Sequence, residues 1–134
     1  MTDSGAPRHQ QRERALSLLY EAELKGQSPI KVMDDLAVAP DDFVWTLIAG
    51  TVTTRDDAER RIADASVGWP LDRMAVIDRL VLRLAVSELL DPDGAPMAVV
   101  IDEAVELAKT YSTDDSGSFV NGILSTIAAE VRPV

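Results

Sequence analysis

Residues 74–90 constrain this chain more than any other stretch. Ile77, Leu80, Val81, Leu84, Ala85 and Leu89 recur at helical spacing, while Val76, Leu82 and Val86 occupy other faces. A helix apolar on most sides has to be surrounded, which puts it in the middle of a bundle. The surrounding elements also read as helices. Arg8–Lys25 carries Ala15, Leu16, Leu19, Tyr20 and Ala22 along one side, and Gly26 ends it. Ser28-Pro29 reads as an N-cap followed by proline at the first helical position. It opens a short helix with Ile30, Met33, Leu36 and Ala37 that stops at Pro40. A longer pattern follows Asp41-Asp42, running from Val44 through Leu47, Ile48 and Val52 to Ile62, with a bend near Thr53-Thr54. Gly68-Trp69-Pro70 breaks it.

Asp91-Pro92-Asp93-Gly94 is a strong turn signal. A helix over Met97–Tyr111 follows, with Ile101, Ala104, Val105 and Ala108 on one face. The last helix carries Val120, Ile123, Leu124, Ile127 and Val131. Thr51 to Thr54 has strand-like composition, but no second run exists to pair with it. The expected fold is therefore an all-α bundle of six or seven helices. Residues 1–7 read as a flexible tail and residues 8–134 as a single domain.

Composition narrows the chemistry. Hydrophobic residues make up 46% of the 134 but aromatics only 4%, so the core must be Leu, Val, Ile and Ala, which suits helix packing. There is no cysteine, hence no disulfide framework, thiolate metal site or cysteine nucleophile. His9 is the only histidine, which excludes a multi-histidine metal centre. No apolar run approaches the ~20 residues of a membrane span, and no signal peptide is expected, since Met1 to Gln11 is polar throughout. The expected location is cytoplasmic. The net charge of −10 disfavours nonspecific adhesion to nucleic acid or anionic membrane. Nucleic-acid binding would need a local basic site.

One such site exists. Arg8, His9, Arg12 and Arg14 open the first helix against a single acid, Glu13. At ~100° per residue, Arg8 and Arg12 fall on the side of Leu16 and Leu19. They either project past the bundle, able to grip phosphates, or form ion pairs within the protein. The second candidate is Thr113-Asp114-Asp115-Ser116 followed by Phe119. Asp115 or Ser116 can cap the last helix, or the carboxylates can accept hydrogen bonds from base amines while Phe119 stacks a base. The bland alternative is capping plus a core phenylalanine. Asn121-Gly122 inside the last helix reads as structural: the glycine marks close approach of a neighbour, and Asn121 faces another helix, with Glu103 as a partner. Asp115-Ser116-Gly117 echoes a serine-protease motif, but no base or oxyanion hole accompanies it. No catalytic residue and no cofactor are expected.

Three stretches resemble the NusB family of transcription antitermination factors. The first is Arg12-Glu13-Arg14-Ala15 through Leu19-Tyr20 and Glu23-Leu24. The second is Asp78-Arg79-Leu80-Val81-Leu82-Arg83-Leu84-Ala85 to Glu88-Leu89-Leu90. The third, and most specific, is Val100-Ile101-Asp102-Glu103-Ala104 to Lys109, followed by Asp114-Asp115-Ser116 and Phe119-Val120-Asn121-Gly122-Ile123-Leu124. The match spans about Arg8 to Val131, is weaker over residues 27–69, and is closest to actinobacterial members.

The resemblance implies two packed three-helix subdomains. It also implies binding of boxA-type single-stranded RNA of nascent ribosomal transcripts together with NusE, a small-subunit ribosomal protein. That complex joins an RNA polymerase-bound antitermination assembly. The family's RNA contacts map onto Arg8, His9 and Arg12, onto Asp115, Ser116 and Phe119, and onto the acidic–basic pair Asp78 and Arg79. Many members carry an unbroken arginine run where this chain has His9-Gln10-Gln11, so its positive field is diluted. Monomers and homodimers both occur in the family. Two alternatives stay open: an acidic protein-binding adaptor, and a stand-alone relative of the RNA-binding domain of ribosomal RNA cytosine methyltransferases.

Overall fold

Gly26 closes the first helix as its position predicts. It sits at φ +63°, and the N–H groups of Gly26 and Gln27 return to the carbonyls of Glu23 and Ala22. That is a Schellman arrangement, which glycine reaches without steric cost. The structure, a computed structural model, describes residues 6–133. Of the expected tail, residues 1–5 therefore lie outside the described residues. The elements are α1 (Arg8–Lys25), α2 (Pro29–Asp34), α3 (Asp42–Thr53), α4 (Arg55–Ala65), a 3-10 turn (Leu71–Arg73), α5 (Val76–Leu90), α6 (Met97–Tyr111) and α7 (Ser116–Val131). No strand occurs among the described residues.

Two differences from the sequence reading have local causes. The helix after Ser28 begins as expected, with the Ser28 hydroxyl accepting from the Ile30 N–H at 3.3 Å, but it ends at Asp34 rather than near Pro40. The Leu36 N–H turns back to the Met33 carbonyl, three residues away, and the helix goes no further. The expected bend at Thr53-Thr54 is a full break between α3 and α4. Both threonine hydroxyls donate to the Gly50 carbonyl, as does the Thr54 N–H, so side chains crowd the acceptor at the end of α3.

Helices α1, α2 and α3 pack on one another, and so do α5, α6 and α7, with α4 laid against α5 and α7. The central helix α5 also packs on α1 and α3 and joins the two groups. Every residue from Leu80 to Leu89 is buried, as an all-round apolar helix requires, but the buried set includes Arg83, Ser87 and Glu88. In its last turn α5 meets α3 closely: a Cβ added at Gly50 would lie 2.5 Å from Ser87 Oγ. At its C-terminus the helix is closed from outside. Arg132, just past α7, donates to the carbonyls of Glu88, Leu89, Asp91 and Ala95 at 2.7–3.1 Å. These include carbonyls that a helix end otherwise leaves without partners. Among the described residues no helix is long and apolar enough to cross a membrane.

Candidate nucleic-acid interface

Helix α1 runs antiparallel to α5. Arg12 meets Glu88 at one end of the seam and Glu23 meets Arg79 at the other. At the first end, Arg8 is exposed and its guanidinium lies 4.1 Å from the ring centre of Phe43 on α3. That is close enough for a cation–π contact. Arg12, one turn on, lies 5.3 Å from the same ring but is otherwise in a different situation. It is only 3% exposed. Its Nε and Nη2 donate to the two carboxylate oxygens of Glu88 at 2.9 and 2.7 Å. Burial pushes the Arg12 guanidinium down, but the Glu88 bond and charge, aided by Glu103, outweigh it and the net shift is upward. Of the two alternatives open for Arg8 and Arg12, Arg12 takes the ion pair within the protein, and the RNA contact that the resemblance implied for it is corrected: its charge is spent on Glu88. Arg8, Arg12 and Phe43 border a groove of about 760 Å³ between the two helix groups, with Thr46, Gly50 and Glu103 along its walls.

His9 adds a polar join from α1 to α6. Its Nδ1 lies 2.6 Å from Glu103 Oε2, and since an ionised carboxylate only accepts, the ring N–H donates. Glu13 stands 3.7 Å away on the next turn. The Glu103 bond, against a smaller opposing effect of burial, raises the His9 pKa above its ordinary value. The Tyr111 hydroxyl donates to Glu13 at 2.7 Å, a second tie across the same seam.

The other candidates gather where α7 begins. Ser116 is buried; its hydroxyl donates to Asp78 at 3.0 Å and accepts from the Thr113 N–H at 3.2 Å. Asp78 is buried as well, and its Oδ1 is left without a partner. Asp115 holds the N-cap position but makes no side-chain capping bond, so the capping expected of Asp115 or Ser116 is replaced by the Ser116–Asp78 tie. Asp115 is exposed and Phe119 is half-buried against the core. Arg79 pairs with Glu23 at 3.1 Å rather than with its neighbour Asp78. Asp78 and Glu88 are ten positions apart on α5, ~15 Å along its axis, so the candidates form two clusters.

Asn121 and Gly122 belong to neither. Both are exposed, and nothing lies within 4 Å of a Cβ built at Gly122. The expected close approach and the Asn121–Glu103 contact are not found. Val120, Ile123, Leu124 and Ile127 take the buried stripe, which turns positions 121 and 122 outward. The sequence reading also missed Phe43, Glu88 and Arg83. For the last two a signal was present: charges inside a helix that has to be surrounded.

The family model that matches is the NusB family, over residues 9–129. The chain is 43% identical over 129 residues to the transcription antitermination protein NusB of Streptomyces griseus, covering 90% of each. It is 42% identical over 127 residues to that of Saccharopolyspora erythraea, covering 90% of this chain and 86% of that one. Among solved structures it is similar to NusB of T. maritima, with a TM-score of 0.86 and 34% identity over 96% of this chain and 94% of the other. It is also similar to a chain solved as antitermination factors NusB and NusE in complex with dsRNA, with a TM-score of 0.77, 27% identity, and 92% and 96% coverage. This chain belongs to the NusB family of transcription antitermination proteins.

Proposed function

We propose that residues 8–134 act as a single RNA-binding domain. It holds boxA-type RNA of nascent ribosomal transcripts jointly with NusE, in the cytoplasm, within an RNA polymerase-bound antitermination assembly, without catalysis or cofactor. The observation that carries this is the exposed Arg8 stacked on Phe43 at the mouth of the groove, on a protein otherwise strongly acidic. The stack leaves a planar cation at the surface, suited to a phosphate or to the face of a base. Arg12 serves indirectly, fixing α1 against α5 so that Arg8 and His9 are presented. At the second cluster Asp115 accepts from base amines and Phe119 stacks, while Asp78, Ser116 and Arg79 hold the start of α7 and its neighbours in place.

With so few arginines the chain binds RNA weakly alone, with a shallow salt dependence. An acidic surface attracts a basic ribosomal protein, and the joint surface offers RNA more positive charge. The relative solved with NusE and dsRNA supports the partnership and makes strandedness a variable to measure. Fluorescence titration with single- and double-stranded boxA-like RNA, across salt and with saturating NusE, tests this. NusE should tighten RNA binding by ~1–3 kcal/mol, and RNA should tighten NusE equally. Arg8→Ala should weaken RNA binding by far more than it lowers stability, since the loss of one exposed cation–π contact costs only about 0.5–1 kcal/mol. RNA affinity and salt slope indifferent to NusE would favour the protein-binding adaptor.

A further inference from the structure

A second cleft, of about 400 Å³, opens where α1 turns into α2. Leu19, Ala22, Val52 and Leu80 give it apolar walls, and three charged side chains line it, Arg55, Arg83 and Glu23, the last with its carboxylate turned to Arg79 at 3.1 Å. Arg83 is only 6% exposed, yet its Nε has no hydrogen-bond partner. Its nearest carboxylate, Glu59, is 3.8 Å away and is shared with Arg55 at 3.5 Å. Arg79, which also acts on it, is taken by Glu23. The charges around Arg83 are therefore Glu59 and Glu23 against Arg55 and Arg79, and with Arg83 itself one cation is in excess. Burial, the largest effect, holds the Arg83 guanidinium below its ordinary pKa. A buried cation without good partners is costly, and an anion brought to it relieves that cost.

We propose that this cleft is an oxyanion site in which Arg83 and Arg55 take a phosphate group. The guanidinium fork matches phosphate, and the apolar walls leave room for the organic body of a phosphorylated ligand. The site is distinct from the Arg8 groove and does not depend on the RNA-binding proposal. The phosphate can come from a free phosphorylated small molecule or from an RNA backbone.

The probe is inorganic pyrophosphate at fixed ionic strength, followed by calorimetry and thermal melting on the full chain. Pyrophosphate should bind and raise the melting temperature. Arg55→Ala removes an exposed side chain, so the free protein should melt unchanged while pyrophosphate affinity falls at least about tenfold. Arg83→Met should abolish the pyrophosphate-induced shift. Absence of binding to the unmutated chain, or equal binding in both variants, overturns the proposal. A boxA-like RNA then identifies the source. If it displaces pyrophosphate and loses affinity in Arg55→Ala, the phosphate is the RNA's; if it does neither, the ligand is a free phosphorylated molecule.

Discussion

Arg12 and Arg83 are buried almost equally, at 3% and 6% exposure, and both meet α5 chemistry, but their charges are handled in opposite ways. Arg12 crosses from α1 to a carboxylate on α5, and both partners align in a two-bond fork. Arg83 starts on α5 and finds only a distant carboxylate already engaged elsewhere. Burial therefore says little about the role of a charged side chain; how well its donors are satisfied says more. The first arrangement holds two helices together. The second leaves a cation waiting at a cleft.

The sharpest way to break this contrast is to remove each charge while keeping bulk. Arg12→Met strands Glu88, itself only 8% exposed, and should cost about 3–5 kcal/mol. Arg83→Met removes a poorly paired charge from an apolar helix. It should change stability by less than about 1 kcal/mol, or raise it. Urea denaturation of both variants decides. Similar losses at the two positions would mean that Arg83 is better satisfied in solution than its geometry indicates.

The contrast also shows where sequence reasoning reached and where it stopped. The bounds of α1 and α6 were legible because their signals are local: Gly26 past one end, a Pro/Gly turn before the other helix. The centrality of α5 was legible because all-round apolarity admits no other placement. The Arg12–Glu88 pair was not, because its members are 76 positions apart and the chain offers 23 acids as partners. Only the antiparallel packing of α1 on α5 selects one of them. Asn121-Gly122 was misread for a different reason. Glycine in a helix suggests close approach, but the heavier constraint was the stripe of Val120, Ile123, Leu124 and Ile127, which leaves that glycine exposed. Arg132 follows Val131, the last residue of the apolar pattern, where periodicity gives no signal, yet it closes the end of α5.

A smaller effect tests the close approach of α3 to α5, the helix that carries Arg83 and Glu88. Ser87 stands between Arg83 and Glu88 on α5, and α3 approaches it at Gly50. Alanine at Gly50 gains ~1 kcal/mol of helix propensity. Its Cβ, however, would collide with Ser87 Oγ, and overpacking typically costs ~1–3 kcal/mol. The expected net is a loss of about 1 kcal/mol. Ser87→Ala removes the colliding oxygen and leaves its Cβ at an ordinary 3.9 Å. The double variant should therefore recover the loss, a coupling of ~1–2 kcal/mol in a double-mutant cycle. A Gly50→Ala variant that is stabilised by itself would mean that the Ser87 hydroxyl rotates away freely, and that α3 is not held there.

The smallest effect comes from the exposed counterpart of the Arg12 pair. His9 precedes Arg12 by one turn and makes its own cross-helix bond, to Glu103, but its side chain is 44% exposed. Solvent screening limits such a pair to less than about 1 kcal/mol. Its sign is nevertheless definite. The Glu103 bond raises the His9 pKa in the folded state above the ordinary 6.5. Below about 6.5 the imidazole is protonated both folded and unfolded, and the pair contributes fully. As pH rises through the folded-state pKa the proton leaves, and that stability is lost. Since His9 is the only histidine, few other groups titrate in this window, and the comparison with His9→Gln is clean. Denaturation midpoints measured from about pH 5.5 to 8.5 should fall more steeply for the unmutated chain than for the variant. Parallel profiles would show that the His9–Glu103 bond does not persist in solution. A profile that instead rises with pH relative to the variant would show His9 held neutral, with burial rather than Glu103 governing it.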